Sequence, residues 1–160
     1  MRVYRFEDES QDEIVGQQYA QLPETCFKYC SSVAFCIDPS KEIGPASILS
    51  QLKAYEIPIT RKVTNILGYD LIGEIHHYRL CFESQAMIRC ITDSIFSWVG
   101  WDNHPEDPAF FREDESVFFS SVIHEGYIHL HVRDDEDVSS VISNPGWQDV
   151  TNSPTRGYFI

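Results

Sequence analysis

The chain has 160 residues, 42% of them hydrophobic and 13% aromatic, which is typical of one folded domain with a full core and excludes a disordered chain. Its 25 acidic residues against 12 basic ones leave a formal net charge of −13, so we expect neither nucleic acid nor membrane as a partner. Residues 1–13 lack the apolar core of a signal peptide, and no apolar run approaches the roughly 18 residues of a membrane-spanning helix, so we expect a cytoplasmic protein.

The start of the chain predicts a strand and then a helix. Residues 2–6 alternate basic and apolar side chains, which suits a short strand at the edge of a sheet. Ser10 and Glu13 fit a capping box, in which each side chain satisfies the other residue's backbone amide. The apolar spacing that follows predicts a helix over residues 10–21, which we expect to end at Pro23.

The next segment predicts a second strand and a second helix. Residues 31–37 are an apolar run typical of a buried strand. Pro45 in a first-turn position, followed by apolar residues at helical spacing, predicts a helix that must stop before Pro58. Residues 59–75 follow neither period well, and we interpret them as two short strands around a turn.

The middle of the chain predicts a strand, a helix and a loop. Residues 77–82 alternate as a strand, and Ser84 can cap a third helix with a buried stripe of isoleucines and Val99. Residues 100–115 contain two prolines, a glycine and many acids, which predicts a long exposed loop.

The last third predicts a hairpin and a short helix. Residues 117–124 and 127–132 are rich in β-forming residues, and Gly126 between them accepts the positive φ that a tight turn needs. A helix is expected from Asp134 through Ser143, followed by an extended tail.

Together these elements predict one α+β domain over residues 1–160, with a mostly antiparallel sheet and three to four helices packed mainly on one face. The hairpin argues against a strictly alternating parallel fold, because it joins two strands without a crossover helix. The five cysteines are odd in number, irregularly spaced and without a C-x-x-C pair, so we expect small buried hydrophobic residues, Cys36 above all, rather than a disulfide framework.

The histidines are the candidates for a metal site. His129 and His131 alternate onto one face of a predicted strand, and His124 lies across the hairpin turn. Two ligands do not fix a metal, so a metal-dependent hydrolase that uses these three residues is kept only as an alternative. The sequence has no glycine-rich phosphate loop and no nucleophile elbow, and we therefore expect no cofactor, no metal and no catalytic residue.

The acidic residues are the more informative feature, since at least half of the 25 lie within residues 7–13, 102–115 and 134–137. Helix dipoles account for part of the first and third segments. Large aromatic residues lie within and beside the second segment, residues 102–115. Aromatic rings surrounded by acids are typical of a surface that binds a basic protein. The predicted partner-binding residues are Trp101, Asp102, Glu106, Asp107, Phe110, Phe111, Glu113, Asp114, Glu115, Asp134, Asp135, Glu136 and Asp137.

The sequence thus favours a noncatalytic acidic protein-binding protein, such as a bacterial immunity or inhibitor protein that occludes a basic toxin, for example a nuclease. Carboxylates would occupy the toxin's phosphate-binding sites, while aromatic residues bury against it. A DNA mimic whose acids imitate phosphates is a second alternative, and a structural subunit of a larger assembly is a further one.

Overall fold

The computed structural model describes residues 1–7, 16–37, 47–58, 74–90, 106–123 and 126–153. These residues form eight strands and four α-helices. The strands are β1 (Arg2–Glu7), β2 (Ser32–Ile37), β3 (Glu56–Ile57), β4 (Glu74–Arg79), β5 (Glu106–Phe111), β6 (Val117–Val122), β7 (Tyr127–Val132) and β8 (Trp147–Asp149). The helices are α1 (Gly16–Tyr29), α2 (Ile48–Leu52), α3 (Phe82–Arg89) and α4 (Ser139–Ile142).

The eight strands make one antiparallel sheet in the order β3-β4-β2-β5-β6-β7-β1-β8. This confirms the predicted α+β class. We expected β1 at the edge of the sheet, but β8 pairs along its outer side. The ring centroid of Trp147 in β8 lies 5.7 Å from that of Phe6 in β1. Residues 147–149, predicted to be part of an extended tail, are therefore a strand.

The core lies between the helices and one face of the sheet, here called the helix face. A row of buried residues crosses four paired strands on this face: Val33, Phe110, Phe119 and Leu130. Helix α1 packs on the row through Phe27, whose ring centroid lies 6.1 Å from that of Phe110 in an edge-on arrangement. Since strand side chains alternate, the residues between these point to the opposite side of the sheet, here called the second face.

Helix α1 continues through Pro23, where we expected it to end. Tyr19, Leu22 and Cys26 form a buried stripe at helical spacing on both sides of the proline. Their burial in the core stabilises the helix in spite of the backbone hydrogen bond that a proline cannot donate. Residues 10–15 of the predicted helix lie outside the described residues.

The next two helices are close to the prediction but begin at different residues. Ser47 caps α2, which a single 3-10 turn extends and which ends before Pro58, as predicted; Pro45 lies outside the described residues. Helix α3 begins after Cys81, so Ser84 is not its N-cap. Ser84 lies one turn inside the helix, and its Oγ accepts a hydrogen bond from the backbone N–H of Cys81 at 2.9 Å.

Strand β4 spans Glu74–Arg79, three residues earlier than the predicted strand over 77–82. The shift follows from α3, because Phe82 already belongs to that helix. The short strands predicted before residue 74 lie outside the described residues, as does the part of the predicted buried stripe after Cys90.

The prediction of a long loop over residues 100–115 is wrong for its second half. Residues 106–111 form β5, which pairs with β2 on one side and β6 on the other, and the turn to β6 needs only residues 112–116. Residues 100–105 lie outside the described part of the chain. The hairpin of β6 and β7 is confirmed, and Gly126 has the expected positive φ of 73°.

Helix α4 is shorter than the predicted helix over residues 134–143. The carboxylate that accepts a hydrogen bond at its N-terminus belongs to Asp137 and not to Asp134: the backbone N–H of Ser139 donates to Oδ1 of Asp137 at 3.0 Å. No helix in the described ranges is long and apolar enough to cross a membrane. None of the five cysteines, all within those ranges, forms a disulfide, and Cys26 is fully buried whereas Cys36 is half-buried.

Candidate protein-binding surface

Two of the three acidic segments found in the sequence lie together at one end of the sheet. Residues 113–115 lie in the β5–β6 turn, and residues 134–137 lie between β7 and α4. Arg133 joins them, since its guanidinium hydrogen-bonds the carboxylate of Asp114 and donates to the hydroxyl of Ser116 at 2.9 Å. The exposed carboxylates of this surface, here called the acidic end, are Glu113, Asp114, Glu115, Asp134, Asp135 and Asp137.

A buried ion pair lies beneath the acidic end. Arg112 and Glu136 are 5% and 7% exposed and form two parallel hydrogen bonds, Nε to Oε1 at 2.6 Å and Nη2 to Oε2 at 2.7 Å. Arg112 also donates to the backbone carbonyls of Val117, at 2.6 Å, and His131. The guanidinium thereby fixes the turn against both strands of the hairpin.

Glu136 is one of the predicted partner-binding residues, but it is buried and paired with Arg112 instead of lying on the surface. Burial opposes ionisation of its carboxyl group, but the hydrogen bonds from Arg112 and the backbone N–H of Arg133 outweigh it and hold the pKa of Glu136 below its ordinary value. Glu136 is therefore an ionised structural residue.

The other acids of the two segments remain on the surface. The side chain of Asp134 is 90% exposed, and its carboxylate lies 4.0 Å from the amino group of Met1. Hydrogen bonds from Ser116 and Arg133 lower the pKa of Asp114, and hydrogen bonds from Ser139 lower that of Asp137. Both carboxylates are thus ionised and held in fixed orientations at neutral pH.

A groove of about 420 Å³ between α1 and α4 continues the acidic end. Asp137 belongs to both, and the hydroxyl of Tyr29 fixes its backbone by accepting a hydrogen bond from its N–H at 2.8 Å. The lining residues are polar with one exception: Ala20, Gln21, Glu24, Thr25, Lys28, Asp137 and Ser140. Polar lining of this kind suits contact with another polar surface rather than burial of an apolar ligand.

The aromatic residues predicted to contact a partner do not lie on the acidic end in the described part of the chain. Phe110 and Phe111 are buried and stabilise the sheet, so their rings do not lie on the surface. Asp107 also has a role in the fold, because its Oδ1 accepts the backbone N–H of Ile123 at 2.7 Å. Trp101 and Asp102 lie outside the described residues, and the side chain of Glu106 is not described.

Among the residues that the structure describes, two exposed large apolar side chains were not singled out by the sequence. Phe82 is 81% exposed at the first position of α3, and Met1 is 72% exposed beside Asp134. The capping spacing from Cys81 to Ser84 could have placed Phe82 at a helix start, where side chains face solvent. Met1 is thus an exposed apolar residue next to the acidic end.

Two of the three histidines of the alternative metal site, His129 and His131, lie in the part of the chain that the structure describes. His129 and His131 lie side by side on the second face of β7, with ring centroids 6.3 Å apart. Burial first, then neighbouring positive charges, lower the pKa of His129 to about 4, and burial and Arg112 lower that of His131. His124 lies outside the described residues, among which no three His, Cys, Asp or Glu side chains could hold a metal ion.

Comparison of the chain with protein-family models, with curated proteins and with solved structures finds no match. Function is therefore inferred from the arrangement of the side chains alone.

Proposed function

We propose that this chain is a noncatalytic binding protein whose acidic end covers a basic surface on a protein partner. The simplest biological setting is a bacterial immunity or inhibitor protein that occludes a basic toxin such as a nuclease. The observation that carries the proposal is the convergence of the 113–115 and 134–137 segments on one end of the sheet, over a buried ion pair.

The fixed geometry of the carboxylates supports binding. Flexible acids lose conformational freedom when they pair with a partner, whereas acids already held by hydrogen bonds lose little. Asp114 is held by Ser116 and Arg133, and Asp137 by Ser139. These residues supply orientation, and their freely exposed neighbours Glu113, Glu115 and Asp135 supply additional charge for the encounter.

Occlusion is the mechanism that this surface favours. A nuclease binds phosphates with lysine and arginine side chains, and carboxylates at similar spacing compete for the same cations. The formal net charge of −13 accelerates association with a positively charged partner and makes the rate fall as salt rises.

The test is capture of partners by the full chain from a lysate of its native host, followed by binding kinetics with the captured protein. We expect one basic protein that elutes at high salt and whose nuclease activity the chain inhibits in solution. Neutralising two exposed acids, Glu113→Gln with Asp135→Asn, is expected to slow association by about threefold to tenfold and to weaken its salt dependence.

The matched control removes the same charge elsewhere. Glu74→Gln with Glu83→Gln lies on β4 and α3, outside the residues that form the acidic end. If both double variants slow association equally, net charge matters and the acidic end does not. Capture of an acidic partner, or of one that is retained at high salt, would contradict the proposal.

A further inference from the structure

The groove between α1 and α4 contains a positive charge that belongs to the protein itself. Lys28 lies in the last turn of α1 and lines the groove, and its Nζ is 4.7 Å from the centroid of the Tyr29 ring. At this distance the face of the ring attracts an ammonium or guanidinium group. The side chain of Tyr29, and to a smaller extent the charge of Asp137, raise the pKa of Lys28. This part of the groove therefore favours a cation.

The ring of Tyr29 is held in place by other parts of the fold. Its hydroxyl accepts a hydrogen bond from the backbone N–H of Asp137 at 2.8 Å. Its ring centroid lies 5.5 Å from that of the fully buried Phe118. Neither contact involves Lys28, so the ring is positioned to receive a cation without a contribution from that lysine.

Asp137 supplies a carboxylate oxygen to the same groove. Its Oδ1 accepts both hydrogen bonds from Ser139, one from the backbone N–H at 3.0 Å and one from the hydroxyl at 2.7 Å. None of the described residues donates a hydrogen bond to Oδ2. The hydrogen bonds from Ser139, and then the charge of Lys28, hold the pKa of Asp137 below its ordinary value. Asp137 is thus an ionised acceptor of fixed orientation with one oxygen left for a ligand.

The other carboxylate that lines the groove is already paired. Both oxygens of Glu24 accept hydrogen bonds from the guanidinium of Arg89 on α3. Among the lining residues, Gln21 and Ser140 are polar and uncharged. An aromatic ring, an available carboxylate oxygen and neutral polar groups together suit a cationic side chain with several N–H donors.

We propose that the groove binds an arginine side chain of the basic partner, which takes the place of Lys28 against the ring of Tyr29 and donates a hydrogen bond to Oδ2 of Asp137. A guanidinium stacks on aromatic rings and has five N–H donors, whereas an ammonium is a more strongly hydrated point charge, so arginine is favoured over lysine. Lys28 is exposed on a flexible stem and can move into solvent. This site rests on the proposed function, because the arginine belongs to the basic partner.

The test is an NMR titration of the full chain, followed through the tyrosine ring and backbone amide resonances. The probes are N-acetyl-arginine amide and N-acetyl-lysine amide, each compared with sodium chloride at the same ionic strength. We expect saturable shifts at Tyr29 and Asp137, with tighter binding of the arginine probe. No saturable shift at these residues with the arginine probe, or equally tight binding of the lysine probe, would overturn the proposal.

A first pair of variants separates displacement of Lys28 from a change in net charge. Lys28→Gln removes the competing ammonium and is expected to tighten binding of the arginine probe about threefold to tenfold. Lys53→Gln is the matched control, because it removes the same charge from an exposed lysine outside the groove, and it should change binding less than about twofold.

A second pair tests the carboxylate. Asp137→Asn is expected to weaken binding about tenfold, since hydrogen bonds to charged groups are among the stronger ones. Asparagine can still accept the hydrogen bonds from Ser139, so the start of α4 is retained, which circular dichroism would check. Asp134→Asn neutralises an acid outside the groove and should have an effect below about twofold. Equal effects within either pair would assign binding to net charge and overturn the site.

Failure of the groove site and failure of the proposed function give different results. If no basic partner is captured but the arginine probe binds, the proposed function fails, and the shifts at Tyr29 and Asp137 still support a cation site in the groove. If a basic partner is captured and binds wild type and Asp137→Asn equally well, the proposed function stands and the groove site is overturned.

Discussion

Glu136 is the carboxylate on which the acidic end depends. Replacing it with glutamine leaves the charge of Arg112 buried without a counterion, and breaking a buried pair in this way costs about 3 kcal/mol or more. We therefore expect Glu136→Gln to lower the free energy of unfolding by about 3 kcal/mol in urea denaturation.

The neighbouring Asp135 gives the control for that variant. Asp135→Asn alters an exposed acid and should change stability by less than about 0.5 kcal/mol. Similar losses in both variants would mean that total charge, not the Arg112 pair, determines stability here.

His129 makes a contribution to stability that depends on pH. The pKa of His129 is 6.5 in the unfolded chain and about 4 in the fold. Burial, and then the charges of His131 and Arg5, disfavour the charged imidazole. Its register partner on β6, Ser120, carries no charge. The unfolded state thus binds more protons between these values, so the contribution is complete above pH 6.5 and is lost as pH falls towards 4.

We expect the unfolding free energy to be smaller at pH 5 than at pH 7, and His129→Gln to reduce that difference. It should not remove it, because the pKa of His131 is lowered as well. The comparison at pH 5 changes the ionisation of Glu136 little, because the pKa of that group is held below its ordinary value. An unchanged difference in the variant would show that His129 is protonated in the fold.

Residue roles within an acidic run could not be predicted from the sequence. Asp134, Asp135 and Asp137 are exposed, whereas Glu136 between them is buried, and nothing local separates it from its neighbours. Its role comes from Arg112, which lies 24 residues earlier. Sequence reasoning found the acids that form the surface but not the one that supports it.

At the scale of elements, the turn between α4 and β8 depends on Gly146. Its φ is +97°, and a Cβ there would lie 2.9 Å from Cδ2 of the fully buried ring of Phe6. Because the ring cannot move without opening the core, we expect Gly146→Ala to destabilise the protein by about 2–3 kcal/mol in thermal or urea unfolding.

Gly16 provides a matched control, since its φ is also positive, at +58°, but a Cβ there would meet nothing within 4 Å. Gly16→Ala has only the backbone strain and should cost about 1 kcal/mol. If the two variants are equally stable, contact with Phe6 does not determine the conformation of the β8 turn.

Elements with a strong local pattern were predicted well, and those that depend on distant contacts were not. β2 and the β6–β7 hairpin show regular apolar or alternating residues, and Gly126 marks the turn. By contrast, β5 contains acids and a proline, which are typical of a loop. It is a strand because β2 and β6 pair with it from both sides, and that pairing is long-range.

At the scale of the whole molecule, charge and polarity are separated. The acidic end lies where the β5–β6 turn meets the segment after β7, and a polar row of Ser120, His129 and Arg5 crosses the second face. The helix face is filled by apolar residues. One sheet therefore supports a charged surface at one end, a buried polar row on its second face and an apolar core on its helix face.

Most acidic residues in the described part of the chain are exposed, and with a formal net charge of −13 the charges on the folded protein repel one another. Salt screens that repulsion, with a Debye length of roughly 30 Å at 0.01 M and 10 Å at 0.1 M. Raising sodium chloride from about 10 to 150 mM should therefore stabilise the fold by about 1 kcal/mol, a rise of a few degrees in Tm by calorimetry.

The neutralised variant Glu113→Gln with Asp135→Asn tests the origin of this effect. It should have a higher Tm at low salt and gain less from added salt, because two of the repelling charges at the acidic end are absent. A Tm that falls as salt rises would contradict this expectation. It would mean that surface ion pairs such as Arg133–Asp114 and Arg89–Glu24, which salt weakens, stabilise the fold more than the net charge of −13 destabilises it.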